Sequence, residues 1–229
     1  MSFYLSNTAK IELERQLRGQ KLTKQERRRL KDAMGVHPEV HTTPLGMEHS
    51  FYLPPLDLSS ADRHKRKALY ESVKEVFGPA LKTPPSLHDW SKGAIRTSDY
   101  AHPGVLAHEL GHAQFYENPV GKVLTDVSHK AHSAAKWAIP AALLGSRAAR
   151  VAPFAAAAAV APKLLTEFES TRRGINGLVA AGYGDEIVDE AKGMFGLRGA
   201  YGTYALPAGL TVGGAVAAGQ IANWLRRLR

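Results

Sequence analysis

"VLAHELGHAQFY", residues 105–116, carries His-Glu-x-x-His, and its reading decides the fold. On a helix, residues four apart share one face. His108 and His112 can therefore offer neutral imidazoles to a single ion, with Glu109 one residue round the helix. Pro103 suits a first helical position, and Leu106, Leu110 and Phe115 supply apolar contacts, so His102–Tyr116 is expected as one helix. The chain has no cysteine, which excludes disulfides and thiolate metal sites. A metal must then be held by His, Asp or Glu.

A catalytic zinc ion takes three protein ligands and keeps one position for water. The extended metzincin pattern needs Gly at 115 and His at 118, where this chain has Phe115 and Asn118. A thermolysin-like arrangement wants a helical Glu some two dozen residues on, but between 118 and 165 Asp126 is the sole acid. His129 and His132 precede an Ala-rich stretch and read as surface or capping residues. The next acids are Glu167 and Glu169 in "KLLTEFESTRRGINGLVAAG", where Leu164, Leu165, Phe168, Ile175 and Leu178 recur at helical spacing. The two carboxylates point to faces about 200° apart on the helical wheel. Geometry alone leaves both open as the third ligand.

The rest of the chain frames this site. Among 229 residues, 30 Lys and Arg against 21 Asp and Glu give a net charge of +9. Such a balance favours phosphate-bearing partners, either nucleic acid or anionic lipid. Residues 1–57 read as a basic N-terminal helical arm followed by an extended linker. Thr23 and Glu26 have capping-box spacing, Gly35 ends the helix, and Arg27, Arg28 and Arg29 could touch phosphates. The linker is Pro-, Gly- and Ser-rich, with room for one short strand. Residues 58–229 are expected to form one domain, whose first helix is capped by Ser59 and Asp62 and closed at Gly78. "GAIRTS", residues 93–98, is the expected strand, and its edge is the candidate for pairing with a substrate backbone.

Two Ala- and Gly-rich apolar regions follow. Residues 133–165 suggest a helical hairpin, with Arg147 and Arg150 marking its turn, and residues 199–225 carry no charge at all. The latter is long enough to cross a bilayer, with Tyr201, Tyr204 and Trp224 near its ends. No secretory signal is expected, because "MSFYLSNTAKIELERQLRGQ" is charged by residue 10. Basic residues at both ends favour a cytoplasmic location for each, so the expectation is membrane association with a cytoplasmic active site. A soluble cytoplasmic bundle is the alternative.

The order His-Glu-x-x-His, an Ala-rich apolar insert and then "EFESTRR" resembles the membrane-bound gluzincin peptidases. It is most similar to the bacterial neutral zinc metallopeptidases of the YugP type, over about residues 95–229. That resemblance implies a mainly α fold, with a helical zincin-type core and at most a small β element. It implies a Zn2+ cofactor held by His108, His112 and Glu167, with Glu109 as general base for hydrolysis of a peptide or protein substrate. Thr171 stands where the relatives carry Asp or Ser, and would hydrogen-bond a metal ligand. Arg172, Arg173, Tyr183, Tyr201 and Tyr204 are chemically able to stabilise an oxyanion, and the sequence does not rank them. The competing expectation is a non-catalytic basic protein, bound to membrane or nucleic acid, that retains the zincin fold.

Overall fold

A computed structural model describes residues 7–43, 50–53, 93–135, 137–144, 146–195 and 200–227. The helix expected from Ser59 to Gly78 lies outside the described residues. The protein is mainly helical, with eight helices and three strands among the described residues. In chain order these are α1 (Asn7–Leu17), α2 (Lys24–Met34), β1 (Glu39–Thr43), β2 (Phe51–Leu53) and β3 (Ala94–Ser98). There follow α3 (Pro103–Glu117), α4 (Pro119–Ala135), α5 (Ala138–Leu143), α6 (Ser146–Ala180), α7 (Asp185–Phe195) and α8 (Ala200–Arg227). The chain divides into two compact units, the first Met1–Gln114 with Ser170–Met194, the second Phe115–Glu169 with Phe195–Arg229. Helices α3 and α6 each run through the point of division.

In the first unit, α2 begins on a complete capping box, the Thr23 hydroxyl and Glu26 carboxylate each satisfying the other's backbone N–H. It ends on Gly35 at φ 67°, a left-handed conformation that favours glycine. The described part of the N-terminal region is packed, not free-standing. Leu30 and Met34 of α2 are buried, the Met34 carbonyl accepts Gln114 Nε2 at 2.9 Å, and the Asp99 carbonyl accepts the Leu22 N–H at 2.7 Å. The arginine run is spread over three environments. Arg27 reaches Leu22 O and Thr42 Oγ1, Arg28 pairs with Asp32, and Arg29 donates to Gly182 O at 2.8 Å.

The sheet corrects one expectation. Its order is β1-β3-β2, with β1 parallel and β2 antiparallel to β3. Strand β3, the "AIRTS" of the expected edge, is therefore central, and every residue in it is buried. All five residues pair with β1 on one side and Ala94–Arg96 pair with β2 on the other, so over Ala94–Arg96 the strand offers no edge to a substrate.

The second unit has an unusual core. Ala138 and Ala142 of α5, Ala152 and Ala156 of α6, and Ala215 and Ala218 of α8 form one buried cluster. Val160 and Ala208 form another. Phe115 and Phe195 are buried, but many large apolar side chains point outward: Leu144 is 85% exposed, Phe154 77% and Trp137 72%. Close packing explains the small residues, since a Cβ added at Gly214 would lie 2.8 Å from Ile139 Cδ1. The chain breaks after Leu143 and resumes helix at Ser146, so Arg147 and Arg150 lie within α6 and not in a turn. Within α6, Arg150–Ala180 is by length and composition able to cross a membrane, with an 18-residue stretch of mean hydropathy 1.3.

Candidate metal centre

Helix α3 starts where the sequence places it, with Pro103 in the first position. His102 precedes it and acts as the cap: its Nδ1 accepts the Gly104 N–H at 3.0 Å. Burial, together with the Arg15 charge, holds the His102 pKa down at about 4, so the ring is neutral. With Nδ1 accepting, Nε2 must carry the proton, and it donates to Glu190 Oε2 at 3.0 Å.

One turn further, α3 meets α6 at very close range. A Cβ at Gly111 would collide with the Ser170 carbonyl, and one at Gly174 would lie 2.7 Å from the Ala107 carbonyl. Each close approach is possible because one residue of the pair is a glycine without a Cβ. The contact brings two hydroxyls of α6 to the two histidines. Ser170 Oγ lies 2.8 Å from His112 Nδ1, and Thr171 Oγ1 lies 3.1 Å from His108 Nδ1. Each hydroxyl can accept from an Nδ1–H, and in that tautomer both Nε2 lone pairs are available to a metal ion.

The two Nε2 atoms lie 3.2 Å apart. Zn–N bonds of about 2.0–2.1 Å in a tetrahedral shell separate two nitrogen ligands by about 3.3 Å. The spacing fits. Helix α6 carries Glu167 one turn before Ser170 and Thr171, on the same face. Its carboxylate and the two imidazoles keep their ligand atoms within 4.8 Å of one another. These three residues could hold a metal ion. His108 and Glu167 are buried and His112 is half-buried. A Lys163 ammonium, one turn earlier on α6, pairs with Glu167 Oε1 and offsets the charge of a carboxylate only 2% exposed. Two nitrogens and one carboxylate oxygen form a donor set that suits zinc.

Glu109 is buried on α3, next to His108. Glu169 lies half-buried on another face of α6 than Glu167. Arg172 is exposed and Arg173 half-buried on the same helix. Tyr183 lies under Arg29, whose guanidinium carbon is 5.0 Å from the ring centroid, and burial pushes its pKa up to about 12. The side chains of His129, His132, Tyr201 and Tyr204 lie outside the described residues. Ser170 and His102 were not anticipated from sequence. Ser170 is three residues after Glu167, and that helical spacing was the signal available for it.

No protein-family model, no curated protein and no solved structure matches this chain.

Proposed function

We propose that the chain is a zinc-dependent endopeptidase of the gluzincin type, with a helical zincin-like core. The observation that carries this reading is the convergence of His108, His112 and Glu167 within 4.8 Å, with both histidine Nδ1 atoms held by α6 hydroxyls. Zinc, when bound, supplies a Lewis acid and an acidified water. His108, His112 and Glu167 hold the ion, while Ser170 and Thr171 orient the rings. Glu109 takes a proton from the water attacking the peptide carbonyl and returns it to the leaving nitrogen as the C–N bond breaks. The test measures zinc stoichiometry and cleavage of an unfolded protein for wild type and Glu109→Gln. We expect one zinc in both and a loss of about 100-fold or more in turnover for the variant. Retained cleavage by Glu109→Gln sinks the mechanism.

We place the chain at a membrane through its second unit. Alanine seams inside and large apolar side chains outside are the pattern of helices packed in lipid, where small residues permit close contact and the outer face needs no polarity. The apolar α6 stretch agrees. A cytoplasmic active site and a peptide substrate complete the proposal.

A second reading draws on a cavity of about 450 Å³ lined by Lys24, Arg27, Arg28, Lys31, Asp32, His37 and Val40. Five basic or imidazole side chains against one acid suit an anionic lipid or nucleic acid. Zinc binding without cleavage, together with salt-sensitive sedimentation on anionic vesicles or nucleic acid, would favour a non-catalytic protein.

A further inference from the structure

We propose that His102 and Glu190 are positioning residues that aim the metal-bearing helix α3 through its first turn. This inference rests on the metal reading above. A helix leaves its first four N–H groups without partners inside the helix, and serine, threonine, aspartate or asparagine commonly caps them. Here the cap is an imidazole, 1% exposed. An imidazole does two things that those side chains do not combine in one rigid ring. Nδ1 accepts from Gly104 N–H while, across the ring, Nε2 donates to Glu190 of α7. The cap thus fixes the helix to a second element, and not only to itself.

The surrounding packing makes that link directional. A Cβ at Gly104 would meet Ala191 Cβ at 2.7 Å and Met194 Cε at 3.3 Å, so the first turn of α3 lies directly on α7. His102 and Glu190 also line a cavity of about 770 Å³ with Arg15, Arg18, Glu14 and Glu186. Glu190 is 46% exposed and reaches the otherwise buried ring from that side. His108 follows two turns after His102 on a continuous helix, so a tilt at the first turn moves both imidazoles against Glu167. Metal geometry tolerates little of that displacement.

The experiment measures zinc affinity by chelator competition and amide exchange at Gly104, on the whole chain at pH 7.5. Four proteins are compared: wild type, His102→Leu, His102→Asn and Leu30→Ala. Leu30 is a fully buried residue of α2 and controls for general loss of stability. We expect His102→Leu to weaken zinc binding about tenfold or more, the range seen when groups supporting a ligand are removed. We expect Leu30→Ala, with a comparable fall in melting temperature, to shift affinity less than about threefold. His102→Asn restores an acceptor for Gly104 N–H but not the link to Glu190, so it should recover the exchange protection while zinc binding stays weakened. Equal zinc losses in His102→Leu and Leu30→Ala, or full recovery of zinc affinity in His102→Asn, overturn the positioning role of the His102–Glu190 link while leaving the metal centre intact. A wild type that binds no zinc overturns the metal reading and this role with it.

Discussion

At the scale of single residues, burial decides protonation, and two groups of the first unit are pushed in ways that oppose each other on acidification. His102 has its pKa lowered from 6.5 to about 4, so the unfolded chain takes up a proton before the folded one does. Its stabilising contribution is complete above pH 6.5 and is lost as pH falls towards 4. At 1.36 kcal/mol per pH unit, that interval sets a ceiling on the order of 3 kcal/mol. Glu12 has its pKa raised from 4.5 to about 7 by burial, so its penalty is relieved over the same descent. The wild-type profile mixes both, but a difference between His102→Asn and wild type cancels Glu12. With chelator present, urea unfolding from pH 7.5 to 4.5 should show the variant gaining on wild type below pH 6.5. Parallel curves would mean that His102 is not neutral in the fold. The pair His108 and His112 was legible in sequence because one helix face at four-residue spacing is a local property, whereas the choice of Glu167 over Glu169 came from resemblance alone. Ser170 lies in the same segment as Glu167, but a serine three residues after a glutamate is common in helices and by itself signals nothing. His102 was missed because an imidazole is not among the usual caps, and its partner Glu190 is 88 residues away.

Helices α3 and α6 make the site by touching at glycines, and this gives glycine substitutions opposite signs depending on place. A methyl at Gly111 would run into the Ser170 carbonyl, and backbone cannot rotate aside as a long side chain can. Gly111→Ala should therefore cost about 1–3 kcal/mol, as overpacking does. It should also lower zinc affinity by at least about tenfold, because α6 supplies both hydroxyl partners. A methyl at Gly193 of α7 meets nothing within 4 Å. Gly193→Ala should stabilise by up to about 1 kcal/mol and leave zinc binding unchanged. Thermal melts with and without zinc measure both, and a stabilised Gly111→Ala would contradict the helix contact. Helix existence was readable from periodicity and caps at this scale. The place of β3 was not, because strand order depends on partners at Glu39–Thr43 and Phe51–Leu53, far from it in sequence. A buried "AIRTS" has the same residues at a centre as at an edge.

For the whole molecule, the open choice lies between a bilayer and water around the second unit, and a magnitude separates them. Replacing an exposed apolar residue of a soluble protein by arginine usually changes stability by no more than about 0.5 kcal/mol. The same arginine at the centre of a membrane helix costs about 2.5–3.5 kcal/mol. Phe154 and Leu210 are both outward-facing, on α6 and α8. In sequence, Ala-rich segments read equally well as soluble or membrane helices, since composition does not say which face is outside. The structure adds that one alanine face, through Ala138, Ala142, Ala152, Ala156, Ala215 and Ala218, is inside. If lipid covers this unit, wild type should stay in the membrane fraction after a high-salt wash and need detergent for extraction. Phe154→Arg with Leu210→Arg should then release or destabilise it, by about 5–7 kcal/mol if both sit at the bilayer centre. The high-salt wash strips attachment through the basic face of α2 alone, because exposed charges are screened within about 3 Å at 1 M. A wild type that is soluble and monodisperse without detergent, with the double variant equally stable, would return the alanine seams to a soluble bundle and remove the membrane from the proposal.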